Sequence, residues 1–374
     1  MRFPKTVLHL LPLALLAAPA IAQNQAITLN NNVDGYVEVP YSSQVVPQAG
    51  ITLEAWITYD DTTLPTGWRY PTIFRQNLNA NTEDYFLRIE AGNNNSKVLR
   101  FKIVTQVASY TLDWAFTSGQ LLTWTHVAGS YDGTTMRLCV NGAQVLSRTA
   151  SGAIKDQGGP LRIGKGSDVA TPIEVWNGSI DEARLWPYGR TPAEILGSYK
   201  TELSSLPGFV SSWNFNGNYL DSSTGGLNAT MTGSVTFTTN TPTLTTRIFL
   251  GGSVGASSPG CLGPIHFAVN GAPMSGNQGF GVAAQRTASL QPAALILGTG
   301  ALGTPLKILG IDIWTDLVGA VSIPTTSTSL GAVSIGLPIP AGVVGGFASQ
   351  YVILDPCVPL GLTASNCLKF VILP

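Results

Sequence analysis

The sequence predicts an all-β protein made of two unequal parts. Three observations carry this. Short segments alternate apolar and polar side chains, as in Tyr36-Val37-Glu38-Val39, Ile51 to Ile57 and Leu99 to Ile103. Turn pairs such as Asp34-Gly35, Asp132-Gly133, Asn141-Gly142 and Asn177-Gly178 recur between such segments. Charged residues make up 11% of the chain, against about 25% in average proteins, and Gly, Ser, Thr and Asn fill the gap.

The chain opens on a basic stretch with Arg2 and Lys5, followed by a mostly apolar run from Val7 to Ala18 and then Ala20-Ile21-Ala22. A basic start, an apolar run and an Ala-x-Ala site predict a signal peptide over residues 1–22. The run is shorter than the roughly 20 apolar residues that span a bilayer. The later apolar stretch Leu317 to Pro340 is broken by Thr, Ser, Gly and Pro, so no transmembrane segment is expected. The predicted location is outside the cell or in its envelope. The whole chain carries 20 Lys+Arg and 21 Asp+Glu. Removal of Arg2 and Lys5 leaves 18 against 21, which offers no electrostatic footprint for nucleic acid.

The first part is expected over residues 25–240, with its core at 50–195. Met136 to Val140, Asn141-Gly142 and Ala143 to Ser147 predict a hairpin. Thr191-Pro192-Ala193-Glu194-Ile195-Leu196 predicts a short helix, with Thr191 as N-cap, Pro192 at the first position and Glu194 in the first turn. Residues 241–247 read as a linker. The second part, 248–374, is expected to be β-rich, and from Arg247 onward the chain holds no Glu.

The four cysteines are Cys139, Cys261, Cys357 and Cys367. None lies in a Cys-x-x-Cys pattern, which argues against zinc. Export permits disulfides. Cys357 and Cys367 would close a hairpin-sized loop, and Cys261 to either one is the rival pairing. Cys139 lies in a strand and reads as a buried free thiol.

The first part resembles the laminin-G-like, concanavalin A-like jelly-roll family. The segments that carry this are Asn32 to Pro40, Ile51 to Ile57, Trp124 to Gly142, Leu161 to Gly164, Gly178 to Trp186, and Trp213 to Asn218 with Asn228-Ala229-Thr230. Cys139 departs from the aromatic that relatives often carry there. The resemblance implies an N-terminal jelly-roll β-sandwich. The second part more weakly resembles the all-β C-terminal modules of large secreted planctomycete proteins, through Gly260-Cys261, Pro292 to Gly298, Gln350 to Pro356 and Thr363 to Leu368. That likeness implies no particular activity.

Catalytic groups are sparse. Beyond the predicted signal peptide only His126 and His266 remain, and neither has an acid beside it in sequence. A glycosidase needs two carboxylates about 5 to 10 Å apart. Adjacent acids such as Asp60-Asp61, Glu83-Asp84 and Asp181-Glu182 point to opposite faces of a strand. The protein is therefore expected not to be an enzyme. In calcium-binding relatives the hairpin around Asn77 to Asp84 and the segment after Gly164 share an ion. That likeness implies Asn81, Glu83, Asp84 and Asp168 as calcium ligands, with Asp34 and Asp181 as the alternative pair. Trp68 and Tyr70 in a loop, and Trp114, are candidate ligand-binding rings, since an apolar face with a polar edge suits a sugar. The expected function is a secreted binding or adhesion module for an extracellular glycan or glycoprotein, with calcium as a candidate cofactor. A structural envelope or matrix protein is the first alternative. A glycoside hydrolase with a nonstandard acid pair is the second.

Overall fold

The computed structural model describes residues 24–372, apart from 31–34, 61, 63, 65–66, 78, 80–81, 93–95, 118, 169–173, 205–210, 224–225, 249–250, 270–272 and 274. The expected signal peptide, 1–22, lies outside the described residues, as do Asp34 and Asn81. Among the described residues no helix is long and apolar enough to cross a membrane.

Two antiparallel sheets face each other over residues 26–238. The eight-stranded sheet runs Ala143–Thr149, Thr135–Val140, Thr125–Tyr131, Ile51–Ile57, Asn177–Trp186, Ala26–Asn30 and Thr236–Thr238, with Ser211–Trp213 added to Asn177–Trp186. The seven-stranded sheet runs Thr230–Thr232, Tyr36–Val39, Leu161–Ile163, Thr72–Asn77, Glu83–Ala91, Lys97–Val104 and Ser109–Ala115. This is a β-sandwich, in keeping with the alternation, and it has the jelly-roll layout that the family resemblance implies. Ile51, Leu53, Ala55 and Ile57 from one sheet meet Leu87, Ile89, Leu99 and Phe101 from the other in a single buried core. The Asn141-Gly142 hairpin forms as expected, with φ of 49° and 79° at the two turn residues. Those left-handed values match the right-handed twist of the flanking strands.

The central strand Ile51–Ile57 is buried along its whole length. Its even positions should face water, but residues 187–204 cover them. The helix Pro192–Ser198 lies in this strap, and Thr191 and Glu194 cap it reciprocally. Gly189 approaches the sheet so closely that a Cβ there would lie 2.3 Å from the Tyr131 carbonyl oxygen.

The tie between strap and sheet is Glu54, which is fully buried. Arg190 Nη1 donates to both its oxygens at 3.0 Å. Trp186 Nε1 donates to Oε1 at 2.8 Å, and Arg184 Nη1 reaches it at 3.5 Å. Burial pushes the Glu54 carboxyl up. Arg190, then His126 and Arg184, outweigh burial and hold it well below the ordinary carboxylate range. Arg190 Nη2 also donates to the Glu194 carbonyl at 2.7 Å and the Ser198 hydroxyl at 2.6 Å. One guanidinium therefore joins the sheet to the helix.

Residues 251–372 form further sheets. The largest runs Gly251–Val254, Cys367–Ile372, Gly345–Leu354, Pro292–Gly298 and Val321–Thr326, with Leu362–Ala364 on Gly345–Leu354. A three-stranded sheet runs His266–Val269, Gly281–Gln285 and Ala332–Gly336. Their core contains Phe267, Phe280, Leu295, Tyr351 and Phe370, and it takes in Trp186, Tyr188 and Leu203 from the strap region.

Two expectations need correction. The linker 241–247 does not stay irregular: Thr245–Ile248 is a strand that pairs in parallel with Thr201–Ser204. The Cys357–Cys367 bridge is replaced by Cys261–Cys357, with Cα atoms 5.1 Å apart. Cys367 opens a core strand, is fully buried and packs its Sγ against Thr315. Cys261 and Cys357 instead lie at two turns that Asp355 draws together, its Oδ2 accepting from the Cys261 N–H at 3.0 Å and its Oδ1 from the Cys357 N–H at 2.9 Å. Cys139 is a buried free thiol, as expected, and burial pushes its pKa up to about 12.

Breaking one partner of a buried ion pair strands the other, at a cost of about 3–5 kcal/mol. Arg190→Ala should cost that much in denaturant unfolding near pH 7. The stabilisation through Glu54 is present above its unfolded pKa of about 4.3 and is lost as pH falls toward its lower folded value. The Arg190→Ala penalty should therefore shrink below about pH 4. A penalty under about 1 kcal/mol at pH 7 would show that the pair does not hold the strap.

Candidate functional site

On the seven-stranded sheet, period-two alternation sorts the side chains. Tyr85, Leu87, Ile89, Leu99, Phe101 and Ile103 enter the core. The residues between them, Phe86, Arg88, Glu90, Arg100 and Lys102, project from the opposite face. Register sets Arg88 against Arg100, a like-charge pair that would repel. Glu90 offsets this by accepting from Arg88 at 2.7 Å and from Arg100 at 2.5 Å through the same oxygen. Arg100 also grips Asp113 in bidentate fashion, at 2.7 and 2.6 Å.

The network continues across the sheet. Arg75 binds Glu174 at 2.8 Å and Glu83 at 3.2 Å, and Lys102 binds Glu83 at 2.6 Å. Farther along, Arg162 pairs with Glu38 at 3.0 Å and Asp168 at 3.0 Å, and Lys165 reaches Asp168 at 2.9 Å. The cations Arg75, Arg88, Arg100, Lys102, Arg162 and Lys165 are thus balanced by the acids Glu38, Glu83, Glu90, Asp113, Asp168 and Glu174. The face is dense in hydrogen-bonding groups, and its described ion pairs match cations with acids one for one.

Aromatic rings are set into this network. The Arg88 guanidinium lies 4.3 Å from the ring centres of both Tyr70 and Phe86. Tyr36 has Arg162 at 4.7 Å and Lys165 at 4.9 Å over its ring. Arg69 bridges to Ala91 at the end of Glu83–Ala91, which docks the 67–70 loop beside the Arg88 cluster. Trp68 and Tyr70 flank Arg69 on one side of this extended segment. Trp68 is 58% exposed. Trp114 does not join them: it occupies an inward position of Ser109–Ala115, packs on the core and meets Phe116 edge-on at 4.9 Å. The partly buried Trp114 ring therefore lies on the core side of the sheet, away from the Arg88 cluster.

The first calcium set does not fit. Lys165 and Arg162 hold Asp168 below the ordinary carboxylate range, and its oxygens accept from both. Burial pushes Glu83 up, but Lys102 and Arg75 outweigh it. Asp84 is fully buried, and Gln157 donates to its two oxygens at 2.9 and 2.8 Å. Each of these carboxylates is already met by cations or an amide, and Asn81 lies outside the described residues. The alternative acid behaves differently. Asp181 is fully buried, and its Oδ2 has no hydrogen-bond partner. A register shift between Asp181 and Arg184 and a φ of 49° at Glu182 turn both neighbouring acids inward, contrary to the expected opposite facing. Burial and then repulsion from Glu182 raise the Asp181 pKa, and burial raises that of Glu182. An orphaned buried carboxylate oxygen beside a second acid suits a bound cation.

His126 is a packed residue, 1% exposed, with its ring 5.6 Å from Trp56 and its Nε2 3.6 Å from Glu54. One group of three metal-type ligands occurs among the described residues, Cys261, Asp355 and Cys357, and its two sulfurs are joined as a disulfide. Sequence reasoning missed the Arg88, Glu90, Arg100 and Asp113 cluster. Its signal was the regular placing of charge at even positions of Glu83–Ala91 and Lys97–Val104.

Residues 30–196 match a laminin-G-type family described as the concanavalin A-like lectin/glucanases superfamily. No curated protein matches the chain. Among solved structures, a native heptameric SAP-like pentraxin from Limulus polyphemus is 15% identical at a TM-score of 0.36, over 47% of this chain and 82% of its own. A candidate carbohydrate-binding protein from Bacteroides ovatus is 16% identical at 0.43, over 59% and 61%. Domains LG4-5 of the mouse laminin α1 chain are 9% identical at 0.36, over 95% and 83%.

Proposed function

We propose that the protein, whose residues 30–196 match the concanavalin A-like family, is an exported, non-catalytic module that binds an uncharged glycan on the outer face of its seven-stranded sheet. The observation that carries this is the exposed Trp68 beside the Tyr70–Arg88–Phe86 stack. A sugar ring offers an apolar face to an indole and paired hydroxyls to guanidinium and carboxylate groups. The balance of six cations and six acids favours a neutral ligand over a polyanion. A glycosidase needs one acid that stays protonated, whereas Glu83 and Asp168 on this face are held ionised by their cations. Export is supported by the signal-like start and by the Cys261–Cys357 disulfide.

A glycan array probed with the full secreted chain should return neutral oligosaccharides. Trp68→Ala should weaken the best of them about 2- to 10-fold, the range set by about 0.5–1.5 kcal/mol for one aromatic contact. Arg88→Gln should weaken it further. An empty array, or unchanged affinity in both variants, would contradict the reading.

The second part of the proposal is a calcium ion at Asp181. Calcium would supply the positive charge that lets Asp181 ionise in the interior beside Glu182, which already pairs with Arg184. Asp181 would hold the ion through the oxygen that has no protein partner. Calcium should then raise the melting temperature of the native chain, and Asp181→Asn should abolish that rise. An equal rise in both proteins, or none in the native chain, would remove calcium from this position.

A further inference from the structure

A cavity of about 350 Å³ lies where residues 43, 44, 46–49, 156, 185, 187 and 211 meet residues 262, 266, 285, 286 and 330. This is within the range of about 300–1,000 Å³ typical of small-molecule sites. His266 and Gln285 are register partners on adjacent strands, and both line it. Gln285 is 9% exposed, and its Nε2 is buried without a hydrogen-bond partner. Such an amide costs free energy unless something accepts from it. Arg286 follows directly, lines the same cavity and makes no ion pair with any described residue. It holds a φ of 59°, a left-handed value uncommon for a long side chain. Backbone held in such a conformation is characteristic of ligand sites. Burial and then Arg286 lower the His266 pKa, so its imidazole is neutral near pH 7.

The one acid on the wall, Asp156, is already engaged. Its oxygens accept from the Tyr41 hydroxyl at 3.1 and 3.0 Å, and one accepts from the Gly158 N–H at 3.1 Å. The cavity therefore offers a guanidinium, an unsatisfied amide donor and a neutral imidazole, with Leu185 and Leu330 as apolar walls.

We propose that this cavity is a second binding site, specific for a carboxylate-bearing sugar of monosaccharide size, a uronic acid. Arg286 takes the carboxylate, Gln285 Nε2 donates to a ring or hydroxyl oxygen, and the leucines cover the ring. A phosphate fits less well, because the site has a single cation and no helix N-terminus. The site stands independently of the outer face of the seven-stranded sheet. Because both halves of the chain line it, an occupant would also join them.

Calorimetric titration of the full chain with D-glucuronate and D-galacturonate tests this, with D-glucose and inorganic phosphate as comparisons. At least one uronate should bind, with glucose and phosphate at least about tenfold weaker. Arg286→Gln and Gln285→Leu should each weaken the uronate by at least about tenfold while melting as the native chain does. Trp68→Ala should leave uronate binding unchanged, which separates this site from the glycan face. Absence of uronate binding overturns the proposal. So does equal binding of glucose or phosphate, or full affinity in both cavity variants.

Discussion

The structure depends on a carboxylate in the one place where alternation says water should be. Glu54 points away from the sandwich core, yet it is fully buried and met by Arg190, Arg184 and Trp186. An unpaired carboxylate there would be prohibitively desolvated. Two guanidinium groups and an indole N–H make it tolerable, and in doing so they fix residues 184–198 on the eight-stranded sheet. Thr52 extends the same seam, donating to the Tyr188 carbonyl at 2.9 Å and accepting from the Arg190 N–H at 2.8 Å. The strap then presents Trp186, Tyr188 and Leu203 to the core of the C-terminal sheets. Through this chain of contacts one buried ion pair sets where the two halves meet, and hence the shape of the cavity between them.

The opposite sheet uses charge differently. Its outer face pairs each guanidinium with acids, from the buried Arg75–Glu174 pair to the partly exposed Arg100–Asp113 pair, and exposed single pairs contribute about 0–1 kcal/mol. Their value lies in order more than in stability. Glu90 bridging Arg88 and Arg100, and Arg88 held between Tyr70 and Phe86, make a fixed array of donors, acceptors and ring faces. A preorganised array of this kind reduces what a ligand must spend on ordering its receptor. On the proposed reading the two surfaces would divide ligand chemistry between them, a charge-balanced sheet face and a cavity whose one cation is Arg286.

Much of the fold was legible because its signals are local. The Asn141-Gly142 hairpin, the Thr191–Glu194 capping box and the alternation in Ile51–Ile57 each follow from neighbours in sequence. Glu54 was not legible as a hub, because what buries it comes from residues distant in the chain. The cysteine pairing failed for the same reason: Cys357 and Cys367 are close in sequence, but strand register sends Cys367 into the core. In the site, the loop chemistry around Gly67 correctly places Trp68 in solvent. Trp114 takes the core side because its strand register sets it against Leu99, which the local sequence does not reveal. The acids at 83, 84 and 168 read as oxygen donors, and only the register of Thr72–Asn77, Glu83–Ala91 and Lys97–Val104 shows that cations and amides already occupy them.

The central claim is that the outer face of the seven-stranded sheet receives a glycan. Chemical-shift mapping of the Trp68 indole and the Arg88 and Arg100 guanidinium N–H groups, during titration with the strongest array ligand, tests it most directly. The account predicts that these three signals move together and saturate at one affinity. Shifts confined to the eight-stranded sheet or to the C-terminal strands, with these three unmoved, would contradict it.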